Sequence, residues 1–171
     1  MKFFWLDLEM TGLDVDKEVI IEVAAIVTDN KLEALETYHS IVKQPQEYID
    51  RMDDWNKKTH GESGLTALIP TGQDPANVEN DLLKLVEKHF TPKDRIILAG
   101  NSIGQDRLFV NKYFKRFAER LHYRMLDVTS FKIVFNNMFQ ISYAKKQTKH
   151  RAIDDVQESI NELKKYLEFV K

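Results

Sequence analysis

The order of periodicities along the chain constrains its fold more than any other feature. Three strand patterns come in succession, and helix and strand then alternate. In Phe3–Glu9, Phe4, Leu6 and Leu8 share one face, while Phe3, Trp5, Asp7 and Glu9 share the other. Both faces start apolar, which predicts a buried strand. Glu18–Thr28 (EVIIEVAAIVT) is rich in Val and Ile, and Glu33–Val42 alternates around Leu35, Thr37, His39 and Ile41. Asp29-Asn30 supplies turn chemistry between them, so a hairpin is expected.

Downstream, Asp74 reads as an N-cap with Pro75 at the first helical position. Val78, Leu82, Leu85 and His89 keep helical spacing behind it. Ile96–Ala99 reads as a short strand, and one helix carries Asp106, Val110, Tyr113 and Phe117. Met125–Val128 reads as another strand. Ile153, Val156, Ile160, Leu163, Leu167 and Val170 make the apolar stripe of a long final helix. An Ile49–Trp55 helix is expected in the middle, and the polar, basic Phe139–Lys149 reads as a mobile loop. The order βββ, then α-β-α-β-α, predicts an α/β fold with a mixed sheet flanked by helices. A length of 171 residues suits one domain over residues 1–171.

Charge narrows the partners. With 25 Lys and Arg against 27 Asp and Glu, the net charge is −2. A protein that tracks long duplexes by charge alone is usually basic. A nucleic-acid substrate would therefore have to be held at local sites, with divalent cations as the obvious candidates, and a short substrate is compatible with this. Apolar runs such as Val23–Val27 are too short for a bilayer, so no membrane partner is expected. Asp7 and Glu9 follow the first apolar residues at once, unlike a signal peptide. Together with the lack of cysteine, this suggests a cytoplasmic setting.

Three short segments carry chemistry. Asp7 and Glu9 lie two apart on a strand, so their carboxylates share a face at roughly 6.5–7 Å. Such a pair repels and resists desolvation, and a hard cation such as Mg²⁺ or Mn²⁺ relieves both. The alternative is a strand end in solvent with ordinary surface acids. In Ala99–Asp106 (AGNSIGQD), a strand gives way to a helix. Asn101 or Ser102 could cap that helix and leave amides for a phosphate. Asp106 lies in its first turns, where it either reaches the sheet edge or is solvated. In His150–Asp155 (HRAIDD), five residues on one helix differ by about 140°. His150 and Asp155 therefore converge only if His150 precedes the helix. A neutral His there could deprotonate water, or it could be a plain loop residue.

Asp7 with Glu9, then Asp106, then His150 with Asp155 resembles the three exonuclease motifs of the DnaQ-like superfamily. The chain is most similar to the oligoribonuclease family, through WLDLEMTGLD, IIEVAAIVTD, AGNSIGQDR, YRMLDV and HRAIDDVQESI. The resemblance implies a ribonuclease H-like fold with a five-stranded mixed sheet, and a homodimer. It implies 3′→5′ hydrolysis of short RNA, especially dinucleotides, to nucleoside 5′-monophosphates. Asp7, Glu9, Asp106 and Asp155 would hold two divalent ions, Mg²⁺ or Mn²⁺, and His150 would be the general base. Leu13 would wedge against the bases, with Trp55 and His60 lining their site, although core packing is an equal reading for Trp55. Ser102, Arg124 and Thr129 would close over the 5′ phosphate, and Tyr123 would reach into the partner's site. The match is poor over Phe131–Gln147.

Two other classes compete. A related exonuclease with longer substrates should carry basic patches, which are absent here beyond Lys145–Arg151. A non-catalytic binding protein of the same fold should lack one of the acids or the histidine, and all five positions are filled.

Overall fold

The computed structural model describes residues 1–144 and 151–170. Its five strands form one mixed sheet in the order β3-β2-β1-β4-β5. They are β1 (Phe3–Met10), β2 (Ile20–Thr28), β3 (Ala34–Ile41), β4 (Ile96–Gly100) and β5 (Leu121–Asp127). β1 pairs antiparallel with β2 and parallel with β4, so it is central, and β2 is buried along its whole length. This is the five-stranded mixed sheet that the family resemblance implies. The expected hairpin is present, and Asp29 closes its turn by accepting from the Lys31 and Glu33 amides.

The period-two pattern of β1 sends its residues to two cores. Phe4, Leu6 and Leu8 pack with Val78, Leu82, Leu85 and Val86 of α4 (Pro75–His89), and with Phe109 and Val110 of α5 (Ile103–Tyr113). Trp5 faces the other way. It packs with Val128 and Phe135 of α7 (Val128–Phe139), and with Val156, Ile160 and Tyr166 of α8 (Ala152–Leu167). Burying a side chain of this class stabilises by about 1.5–3 kcal/mol. The indole N–H of Trp5 donates to Thr28 Oγ1 at 2.9 Å, so this buried polar group is satisfied. Asp7 and Glu9 follow Trp5 on the same face.

Several boundaries differ from the sequence reading. The expected helix from Asp106 to Phe117 breaks at Phe114 (φ −122°, ψ 61°), and α6 (Lys115–Ala118) follows. Glu79 accepts from the amides of Arg116 and Phe117, which starts α6 and brings the Phe117 ring to 5.1 Å from that of Phe4. The Ile49–Trp55 helix is instead α1 (Gln46–Asp50) and α2 (Asp54–Glu62), because Asp53 caps the Asn56 amide. α3 (Leu65–Leu68) and a short 3₁₀ turn follow. The last strand begins four residues early, at Leu121. The final helix ends at Leu167, before Val170. Phe139 closes α7, a helix absent from the sequence reading, and Gln140 ends it in a left-handed conformation. The rest of the loop read at Phe139–Lys149 is non-helical through residue 144, and 145–149 lie outside the described residues.

Candidate active site

Past Trp5, no strand among the described residues pairs with β1 on its β4 side. β4 ends at Gly100, and the last pair in register is Trp5 with Ala99. A Cβ on Gly100 would stand 2.7 Å from the Leu6 carbonyl oxygen, so only glycine permits this close approach. The chain then turns into α5, and Asp106 fills the place that a strand would occupy. Its Oδ1 accepts from the Leu8 amide at 2.9 Å. Asp106 is only 6% exposed, which overturns the solvated reading. Burial pushes its carboxyl up to about 7 against the opposing Leu8 bond, and the Asp127 charge adds to the rise.

Asp7 and Glu9 flank Leu8 and project from the face covered by α8. Asp155 lies in the first turn of that helix. One carboxylate oxygen from each of Asp7, Glu9 and Asp155 lies within 4.8 Å of the other two. All three side chains are half-buried, so a plain solvent-facing strand end is overturned. The convergence of hard oxygen donors suits a divalent cation. Asp106 stands behind this trio, joined to it through Leu8. α8 begins at Ala152, downstream of His150 as convergence with Asp155 requires. His150 itself lies outside the described residues.

The other candidates lie outside this cluster. Leu13 is 73% exposed, and its carbonyl accepts from Gln105 Nε2 at 2.7 Å. Trp55 is 65% exposed on α2, which overturns the core-packing reading. His60 is the opposite case: it is buried, with Nε2 3.0 Å from the Met10 carbonyl oxygen at the end of β1. Tyr123 and Arg124 are exposed on the edge strand β5, with the guanidinium over the Tyr123 ring at 5.4 Å.

The capping role expected of Ser102 or Asn101 is not what the structure shows. Ser102 takes a left-handed φ of 49° and makes no side-chain cap bond. Its amide donates to Asp127 Oδ1 and Thr129 Oγ1, at 3.0 and 2.9 Å, so it is not left over for a phosphate. The hydroxyls of Ser102 and Thr129 stand 3.1 Å apart, and that of Thr129 donates to Asn101 Oδ1 at 3.4 Å.

Two groups at the site escaped the sequence reading. Asp127 ties Ser102 to the first amides of α7. Glu22 is fully buried on β2, directly across from Glu9. Burial works to raise its carboxyl. The hydrogen bonds from His39, Arg151 and the Ala152 amide outweigh that and hold it below the usual range. The signal was there, since Glu22 interrupts the most apolar strand of the chain.

A family model described as an exonuclease matches residues 4–163. The mitochondrial oligoribonuclease of Homo sapiens is 42% identical over 170 residues, which is 96% of this chain and 71% of that protein. The oligoribonuclease of Ectopseudomonas mendocina is 43% identical over 167 residues, 95% of this chain and 92% of that one. The chain belongs to the oligoribonuclease family. Among solved structures, E. coli exonuclease I with single-stranded DNA and zinc superposes with a TM-score of 0.75 at 16% identity. That match covers 95% of this chain and 39% of the exonuclease I chain. Exonuclease I of Methylocaldum szegediense gives a TM-score of 0.73 at 15% identity, covering 98% and 40%. This family member spans about two fifths of the length of those structures, so they speak for the ribonuclease H-like fold alone. Among the described residues no helix is long and apolar enough to cross a membrane.

Proposed function

We propose that this 3′→5′ exoribonuclease acts as a single domain, residues 1–171, on very short RNA. It removes nucleotides from dinucleotides above all, releasing nucleoside 5′-monophosphates. The observation that carries the reading is the convergence of Asp7, Glu9 and Asp155 beside buried Asp106. The four carboxylates bring a charge of about −4, which two Mg²⁺ or Mn²⁺ ions balance. When bound, two such ions stabilise the attacking and leaving oxygens of an in-line displacement.

The chain's own groups supply the rest. His150 takes the proton from the attacking water, a task suited to an imidazole near neutral pH. Asp106 holds the Leu8 amide and so fixes the strand that carries Asp7 and Glu9. Leu13 wedges against the bases, Trp55 offers an exposed face for sequence-tolerant stacking, and His60 supports that site from below. The hydroxyls of Ser102 and Thr129 and the guanidinium of Arg124 close over the 5′ phosphate. A closed phosphate end measures length, which the modest net charge also favours.

We also propose a homodimer in which Tyr123 reaches the partner's site. Edge strand β5 is largely exposed, and α7 beside it leaves Ile133, Met138 and Phe139 more than half exposed. An apolar face of this kind next to an open strand edge suits a second copy. The cytoplasm is the compartment proposed, although the human relative is named mitochondrial. Product analysis on labelled RNAs of two to ten nucleotides, with and without Mg²⁺ or Mn²⁺, tests the activity. The expected result is metal-dependent release of 5′-monophosphates, fastest on the shortest RNAs. Metal-independent turnover, or a preference that rises with length, would overturn it.

A further inference from the structure

We infer that Glu22 is a positioning residue, whose carboxylate clamps the start of α8 to the sheet and so sets Asp155 against Asp7 and Glu9. The inference rests on the metal-dependent reading above. Glu22 Oε1 accepts from Arg151 Nε at 2.8 Å and Nη2 at 2.6 Å, and lies 2.6 Å from His39 Nε2. Glu22 Oε2 accepts from the Ala152 amide at 3.2 Å. Both oxygens are thus engaged, which argues against Glu22 as a further metal ligand. Asp155 comes three residues after Ala152, less than one helical turn and about 4.5 Å along the axis. Fixing the Ala152 amide therefore fixes both the height and the rotation of Asp155.

The other end of the clamp is equally well referenced. Glu22 and Glu9 are direct partners across the β1–β2 ladder. One carboxylate therefore ties a helix-borne ligand to the strand pair that carries the other two. Stability alone gives a poor account of this arrangement. A buried ion pair often adds little over an apolar pair of similar volume, and Ala24 and Ile26 show that this face of β2 accepts apolar residues. What an apolar residue cannot supply is a directed bond to the first amide of α8.

The test uses the whole chain, with Mn²⁺ alone as the binding probe and a dinucleotide as substrate. Glu22→Gln keeps the shape and removes the charge. It should weaken Mn²⁺ binding and lower kcat by about 10–100-fold each, with KM for the dinucleotide within about threefold. Arg151→Gln should do the same, and the double variant should be no worse than either single one. His39 bonds Glu22 from the neighbouring strand β3, so His39→Gln should stay within about twofold on both measures. A purely structural role predicts a lower melting temperature with Mn²⁺ affinity and kcat unchanged well below it, and that result overturns the clamp. So does a loss in Glu22→Gln that Arg151→Gln fails to reproduce. If Glu22→Gln does not fold, Arg151→Gln alone decides by the same criterion. Loss of Mn²⁺ binding in Asp7→Asn but not in these variants removes the clamp and leaves the metal reading standing. Unchanged binding in Asp7→Asn as well removes both.

Discussion

The two halves of the candidate site are built in opposite ways. The acid half stands on a central strand and a helix start, and its members are tied down by buried bonds. Asp106 holds the Leu8 amide, and Glu22 holds Arg151 and Ala152. The proposed rim is mostly open: Leu13, Trp55 and Tyr123 are each more than 60% exposed, and Arg124 is exposed next to Tyr123 on an edge strand. A preorganised half places charge where the reaction develops it, and should govern kcat. An open half that binds bases and phosphates, as proposed, should govern KM and length. His60 crosses this division, since it is proposed for the rim but is buried in the interior.

The largest expected effect probes the acid half. Asp7→Asn should lower kcat about 10⁴-fold, a loss of 5–6 kcal/mol in transition-state stabilisation. Single-turnover rates at saturating metal check it, and a residual rate near wild type would break the comparison at once. His150→Ala should lower the rate by about 10²–10⁴-fold while metal binding persists, because the carboxylates remain. Metal titration of that variant separates the two outcomes. A wild-type rate in it would remove His150 from the mechanism.

Smaller effects sharpen the rim. Arg124→Ala should reduce kcat/KM about tenfold on two-mers, a typical loss for one charge-assisted contact, and less on seven-mers. Longer chains have extra phosphates to place elsewhere. Equal losses on both lengths would mean that Arg124 does not read the phosphate end.

Stability separates the halves again. Metal at a hundredfold excess over Kd should stabilise the wild type by about 2.7 kcal/mol, or roughly 5–10 °C in melting temperature. Asp7→Asn should melt at least as high as wild type in EDTA, since a repelling charge is gone, and should gain less from metal. Retention of the full metal shift would argue against the carboxylate cluster. The smallest effect is one of pH. Burial raises Asp106 to about 7, above its unfolded value, so its contribution to metal-free stability is present at low pH. It is lost as pH rises through about 7. The wild type in EDTA should therefore lose roughly 2–5 °C more than Asp106→Asn between pH 5 and 8. Parallel melting profiles for the two proteins would contradict this.

Legibility followed the same divide. The acids were readable because strand and helix periods place residues without reference to the rest of the chain. Asp7 and Glu9 share a face by the two-residue repeat alone, and Asp155 opens a helix whose apolar stripe is plain. The family words covered most of the sheet. The break at Phe114 was hidden because the side chain that caps α6, Glu79, comes from a distant helix. α7 was hidden because four of its seven apolar residues, Ile133, Val134, Met138 and Phe139, are exposed rather than packed into a core.

What the chain determined by itself was therefore the alternation of elements, the sheet, the order of its acids and the histidine, and the family to which they belong. These are local periods and spacings, and they survive reading one segment at a time. Only the tertiary structure decided that Asp106 is buried behind Leu8, that Trp55 is exposed, and that the Ser102 amide is already bonded. It alone showed that a glutamate in the most apolar strand holds the start of the last helix. The bonds among these span 25 to 130 residues of chain. Burial and directed hydrogen bonds are properties of what the fold brings together, and no window of sequence contains both sides of such a contact.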